Sequence, residues 1–254
     1  MCTGQIVPSV ESMTTDALSA PIAVVTGASR GLGYALADAL AGAGYRLVID
    51  GRDDTALQAA AASLASRHGW RVTAITGDIA DPGHRAALAA AAAELGGASL
   101  LVNNAGTLGV SPLPALADYP PAELLAAFAT NVVAPVALTQ LLLPGLRRSG
   151  GAVLCVTSDA AVAAYAGWGG YGAAKAALEQ ACNVLAAEES AVRVWWVDPG
   201  DLRTRMHQDA FPGEDISDRP LPESVTPGFL HLIAERLPSG RYRAADLVPT
   251  EVTR

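Results

Sequence analysis

Tyr171 and Lys175 are four residues apart, a spacing that puts both side chains on one face of a helix. A lysine ammonium in that position stabilises a phenolate and lowers the tyrosine pKa from its reference of about 10, which makes the phenol a usable general acid or base near neutrality. Taken alone, such a pair is also an ordinary helix surface. Ser158 lies thirteen residues upstream (171 − 158), at the end of an apolar run, where the plain reading is a strand-end hydroxyl satisfied by backbone. Far upstream, Thr26 to Gly33 reads TGASRGLG, a glycine-rich turn between a strand and a helix. Backbone N–H groups and the helix dipole at such a turn can hold a pyrophosphate, although a tight strand-to-helix turn explains the same glycines.

These groups need a scaffold that brings distant segments together, and the alternation of elements supplies one. Ile22 to Thr26, Arg46 to Ile49, Val72 to Ile75, Leu100 to Val102, Ala152 to Thr157 and Val192 to Val197 read as strands. Ala-rich helical stretches lie near 34 to 43, 54 to 67, 84 to 95, 121 to 147 and 171 to 189. Strands apolar enough to be buried on both faces, alternating with helices, predict an α/β fold of the Rossmann type: a doubly wound parallel sheet with helices on both faces. Right-handed crossovers then leave a ligand crevice at the carboxyl ends of the strands. No Pro/Ser-rich linker divides the chain, so a flexible leader over residues 1–20 and one catalytic domain over 21–254 are expected. Residues 203–227 mix charges with prolines, which predicts a lid beside the crevice.

Composition narrows the function classes. Of 254 residues, 51% are hydrophobic and 17% charged, so most of the chain should fold. The net charge of −8, with Lys and Arg scattered, argues against a nucleic-acid partner. Cys2, Cys155 and Cys182 are far apart without zinc-site spacing, which leaves no metal site and no structural disulfide expected. The first twenty residues lack the pattern of a signal peptide, and no continuous apolar run of about 18 residues is seen; a cytoplasmic protein without a membrane partner is the expectation.

With six motifs in order, the chain resembles the short-chain dehydrogenase/reductase family in its single-domain branch. TGxxxGxG is matched by Thr26 to Gly33, NNAG by Asn103 to Gly106, the helix asparagine by Asn131, the serine by Ser158, YxxxK by Tyr171 and Lys175, and PGxxxT by Pro199 to Thr204. The resemblance implies a catalytic set of Asn131, Ser158, Tyr171 and Lys175: Tyr171 protonates the substrate carbonyl oxygen, Ser158 hydrogen-bonds it, Lys175 holds the nicotinamide ribose, and Asn131 anchors a water. It implies that Gly27, Ser29, Arg30, Gly31, Leu32 and Gly33 hold the cofactor phosphates. Asp78 and the Ile79 backbone would meet the adenine; the alternative for Asp78 is a plain turn residue. Asn104, Ala105 and Gly106 would pass along the adenosine ribose, with Asn103 bracing the central strands. Pro199, Gly200, Leu202 and Thr204 would fix the carboxamide side of the nicotinamide. A homodimer or homotetramer built on the outer helix faces is also implied.

Arg30 in the glycine turn and Arg52 after the second strand predict NADP over NAD, because guanidinium groups favour a 2′-phosphate. A one-residue slip would instead place Asp50 where NAD-preferring members carry an acid. The expected function is an NADP-dependent oxidoreductase that reduces a ketone or aldehyde to an alcohol, or the reverse. The competing readings are an NAD-dependent alcohol dehydrogenase and a non-catalytic NADP-binding sensor. Trp168, Tyr165, Met206, His207 and Phe211 line the crevice or simply pack beside it.

Three features depart from the pattern. Asp198 precedes Pro-Gly and either enters the nicotinamide pocket or caps the strand end. The segment Ser239 to Arg243 lacks the usual Val-Asp-Gly-Gly strand, which leaves contacts through a last strand in doubt. Gly169 and Gly170 are small enough to widen the pocket or loosen the approach to the helix. Pro135 has no N–H for the Asn131 carbonyl, which predicts a helix bent near Asn131 and a water between that carbonyl and Lys175, unless the kink serves packing alone.

Overall fold

A computed structural model describes residues 20–69 and 72–247. The leader expected over residues 1–20 lies, except for Ala20, outside the described residues, as does Cys2.

Among the described residues, seven strands form one parallel sheet: β1 (Ile22–Val25), β2 (Arg46–Gly51), β3 (Val72–Thr76), β4 (Leu100–Asn103), β5 (Ala152–Val156), β6 (Arg193–Asp198) and β7 (Gly240–Arg243). Their order is β3-β2-β1-β4-β5-β6-β7. The chain winds outward from β1 to β3, returns to β4 beside β1, and winds outward again; the reversal between β1 and β4 is the place where such sheets open a crevice.

The helices are α1 (Gly31–Gly42), α2 (Asp54–His68), α3 (Pro82–Glu94), α4 (Pro121–Ser149), α5 (Gly169–Glu188), α6 (Arg205–Ala210) and α7 (Thr226–Ala234). Alternation along the strands divides the core into two layers. Ala23, Val25, Leu47 and Ile49 face one side with Leu36, Leu57 and Phe229, whereas Ile22, Val24 and Val48 face the other with Leu88, Leu138 and Leu178. A sheet covered on both faces has to be apolar on both, which is why the strands read as continuous apolar runs.

Two expectations need correction. First, β7 was missed: it pairs in parallel with β6, with Trp196 opposite Arg241 and Asp198 opposite Arg243. GRYR carries no apolar run because this edge strand is only partly buried. Second, α4 reaches a mean hydropathy of 1.6 over an 18-residue window and is long and apolar enough to cross a membrane by length and composition. Here it covers the sheet, burying Ala134, Leu138, Leu142 and Leu146.

Within α4 the backbone is π-helical over Ala129–Val133, ending two residues before Pro135. The irregularity expected near Asn131 is present as a π turn, a local widening of the helix that accompanies disturbed i→i−4 bonding.

Candidate active site

A cleft of about 720 Å³ runs along the carboxyl ends of the strands. Every residue expected to bind cofactor lines it, from Gly27, Ser29, Arg30, Gly31, Leu32 and Gly33 through Arg52, Asp78, Ile79, Asn104, Ala105 and Gly106 to Pro199, Gly200, Leu202 and Thr204. Ser158, Tyr171 and Lys175 line the same cleft. Asn131 does not: it is fully buried behind the wall.

The glycine turn is built by close approach. Gly27 and Gly31 adopt φ of +66° and +58°, and a Cβ at Gly33 would stand 2.3 Å from the Gly27 carbonyl oxygen. Arg30, the N-cap of α1, makes no side-chain cap, so the first-turn N–H groups beside the cleft are left for a ligand. This cradle suits the pyrophosphate of a dinucleotide. Thr26 braces it: its Oγ accepts from the backbone of Asn104 and Ala105 at 3.0 Å each. The Asn104 amide donates to the carbonyls of Thr26 and Gly27 at 2.9 and 3.2 Å. Asn104 therefore ties the turn to β4 through its side chain, in addition to lining the cleft. Asn103 on β4 braces the neighbouring strand β5, donating to Cys155 Sγ at 3.5 Å, and also donates to Thr139 on α4 at 3.3 Å.

Asp50 is buried, one oxygen accepting from Gly27 N at 2.6 Å and the other 3.0 Å from His84 Nε2. Sequence reading missed this pair, since His84 lies on α3 with no motif to connect it. Arg30 meets Asp53 at 3.2 Å on the surface. Asp78 accepts from Ala80 N at 2.8 Å, so it is a turn residue as well as a lining one.

Deeper in the cleft, Lys175 is 4% exposed and donates to the Val156 carbonyl at 2.8 Å. Burial pulls its pKa down to about 8, opposed by the nearby Cys155, Cys182 and Glu179. Tyr171 lies edge-on to Trp168 at 5.6 Å, with the Lys175 ammonium 5.6 Å from its ring centre. The expected depression of the phenol is not the dominant effect. Burial pushes Tyr171 well above the ordinary tyrosine value, a hydrogen bond with Ser158 opposes it, and the charges of Asp198 and Asp159 push it further up.

Ser158 donates to the carboxylate of Asp159 at 3.1 Å and accepts from Ala160 N at 3.2 Å. Asn131 pairs through both side-chain atoms with the backbone of Thr107, at 2.9 and 2.8 Å. A Cβ at Gly106 would lie 3.1 Å from Asn131 Oδ1 and 3.7 Å from Lys175 Nζ, so that glycine is the thin wall between the two.

Of the five side chains that either line or pack, Trp168, Met206 and His207 face the cleft. Phe211 packs against Trp168 and His207, and Tyr165 donates to Asp159 at 2.8 Å. Gly169 and Gly170 do not widen the pocket. A Cβ at Gly170 would strike the Tyr119 ring at 2.4 Å and one at Gly169 would meet Leu116 at 2.8 Å, so the pair admits the 116–119 segment against the start of α5. Asp198 both lines the cleft and caps the strand end, accepting from Gly200 N at 2.9 Å.

Residues 21–215 match the model of the short chain dehydrogenase family. The chain belongs to this family. Its relatives include a sepiapterin reductase of Meriones unguiculatus, 36% identical over 211 residues, covering 77% of this chain and 79% of that protein. A short-chain dehydrogenase from Shigella flexneri complexed with NADP superposes with a TM-score of 0.83 at 30% identity, covering 89% of this chain and 97% of the other. One from Escherichia coli CFT073, complexed with NADPH, gives 0.82 at 31% identity, covering 88% and 96%. This short-chain dehydrogenase is thus an oxidoreductase with the seven-stranded parallel sheet and flanking helices of its structural relatives.

Proposed function

We propose that the chain is an NADP-dependent reductase that converts a ketone or aldehyde to the alcohol, or runs the reverse, with hydride supplied by bound NADPH. The observation that carries this reading is the convergence of Ser158, Tyr171 and Lys175 beside the turn at Pro199 and Gly200, in the same cleft as the glycine cradle. Relatives named sepiapterin reductase and neighbours complexed with NADP and NADPH support it.

The residues divide the work as follows. Burial keeps the Tyr171 phenol protonated at neutral pH, so the proton for the carbonyl oxygen is in place. Ser158 turns its hydroxyl from Asp159 to that oxygen and stabilises the charge that develops there. Lys175, with a pKa of about 8, remains largely charged near pH 7 and favours the phenolate as it forms. A water between the Asn131 carbonyl and Lys175 would return the proton from solvent, since Pro135 offers that carbonyl no N–H.

NADP is favoured over NAD because Asp50 is committed on both oxygens and is not available to a ribose. Arg30 and Arg52 line the cleft, and Arg30 would exchange Asp53 for a 2′-phosphate. Residues 203–227 act as the lid: Ser111 donates to the Asp209 carbonyl at 2.6 Å, joining α6 to the opposite loop. Leu125, Val133 and Leu141 on α4 and Val184 on α5 are exposed, which supports assembly into a homodimer or homotetramer; a strictly monomeric sedimentation profile would end that part of the reading.

The deciding experiment follows NADPH consumption against a panel of ketones and aldehydes that includes sepiapterin, comparing the wild type with Tyr171→Phe. Consumption of at least one carbonyl that the variant has lost is expected. Tight NADPH binding with no carbonyl consumed would favour a cofactor sensor instead.

A further inference from the structure

Arg241 stands on β7, the strand that composition conceals, and its side chain reaches back beneath the active site. Its Nε donates to Glu179 Oε1 on α5 at 3.0 Å, and Nη2 lies 3.2 Å from the Ser158 carbonyl oxygen and 3.5 Å from Asp198 Oδ2. Each partner is tied to the reaction centre by a second bond. Glu179 accepts from Thr157 Oγ at 2.7 Å, directly before the serine. Asp198 accepts from Gly200 N at 2.9 Å, which shapes the turn beside the nicotinamide position. The Ser158 carbonyl lies past the end of β5, outside the sheet ladder, and has Arg241 and Ala161 N as its donors.

We propose that Arg241 is a positioning residue for the reaction, one guanidinium holding the backbone of the catalytic serine and the Asp198–Pro199–Gly200 turn in register and neutralising Asp198. This rests on the reductase reading above. Arginine suits the task because its planar fork can meet acceptors from the segment after β5, from β6 and from α5 at once, which a lysine ammonium on a flexible stem cannot.

The neutralisation has its own signature. The charged groups around the Tyr171 phenol are Asp198, Asp159 and the Lys175 ammonium, and both carboxylates push the phenol upward. Loss of Arg241 leaves Asp198 uncompensated and raises the phenol further, whereas loss of the Asp198 charge lowers it.

The test uses Arg241→Met, Arg241→Lys and Asp198→Asn in the full-length enzyme. The alcohol formed from whichever panel carbonyl is consumed is oxidised with NADP+, a direction in which activity rises as the phenol loses its proton. Arg241→Met should displace that rising limb to higher pH and Asp198→Asn to lower pH, each by about half a unit to one unit. Arg241→Lys should lower kcat and leave the limb near its wild-type position. A scaffold role alone would lower rates without moving the limb in opposite directions.

A second readout needs no turnover. The nicotinamide fluorescence of bound NADPH should fall in Arg241→Met as the turn loosens, with binding of 2′-phospho-ADP-ribose, which lacks the nicotinamide, unchanged. Limbs that move together or not at all, or unchanged NADPH fluorescence, would overturn the proposal. If circular dichroism shows Arg241→Met unfolded, Arg241→Lys and Asp198→Asn decide by the same two readouts. Failure of the reductase reading looks different: no carbonyl is consumed by the wild type, and the fluorescence arm still decides the role of Arg241.

Discussion

The Asp50 carboxylate joins the glycine turn to α3, accepting from Gly27 N at 2.6 Å with one oxygen and facing His84 Nε2 at 3.0 Å with the other. Asp50→Ala would leave the part-buried Gly27 N–H and the buried His84 imidazole without their partner, at a cost of roughly 2–4 kcal/mol. The expected outcome is a Tm lowered by several degrees together with weaker NADPH binding, measured by thermal scanning and fluorescence titration. An unchanged Tm would show that the pair carries no stability.

Tyr171→Phe removes the phenol and keeps the ring that packs on Trp168. Turnover should fall by at least the roughly 10²–10⁴-fold typical of a general acid, with the Kd for NADPH close to wild type. Turnover preserved in this variant would remove Tyr171 from the chemistry.

Lys175 titrates near 8 when folded, against about 10.5 in the unfolded chain. Because the folded value is the lower one, the unfolded state binds the proton more tightly, and stability rises as pH increases from about 8 to about 10.5. Across that window the wild type should gain roughly 3 kcal/mol relative to Lys175→Met. Urea unfolding of both proteins at pH 7.5 and pH 10 checks this; parallel curves would refute it. Taking the difference between the two proteins cancels the opposing contribution of Tyr171, which begins to lose stability above about pH 10.

Asp53 caps α2 through Ala56 N at 3.1 Å while its other oxygen meets Arg30. Asp53→Asn keeps an acceptor for the cap and removes the charge competing for Arg30, so NADPH affinity should rise by roughly two- to fivefold and NADH affinity little. Arg52→Ala should move the preference the other way. Equal kcat/KM for NADH and NADPH in the wild type would contradict the assignment.

Local sequence was enough for the order of the first six strands and the helices between them, and for the cleft-lining motifs, because each rests on short-range physics: apolar runs for strands buried on both faces, glycines where the backbone must turn or approach, and a four-residue spacing on α5. It also marked the neighbourhood of Asn131 as irregular, since Pro135 cannot donate to that carbonyl wherever the helix lies, but the π-helical form of the irregularity was not legible. The tertiary structure decided what depends on partners remote in sequence. The Asp50–His84 pair spans 34 positions and the contact of Arg241 with Ser158 spans 83, and no periodicity connects such residues. The same holds for Gly169 and Gly170, whose smallness admits Leu116 and Tyr119 instead of widening the pocket. Burial set the direction in which the phenol is shifted. The spacing of Tyr171 and Lys175 implies a lowered phenol pKa, but a ring enclosed beside Asp198 and Asp159 is raised, since desolvation and like charge act through the whole environment of a group and not through its neighbours on one helix.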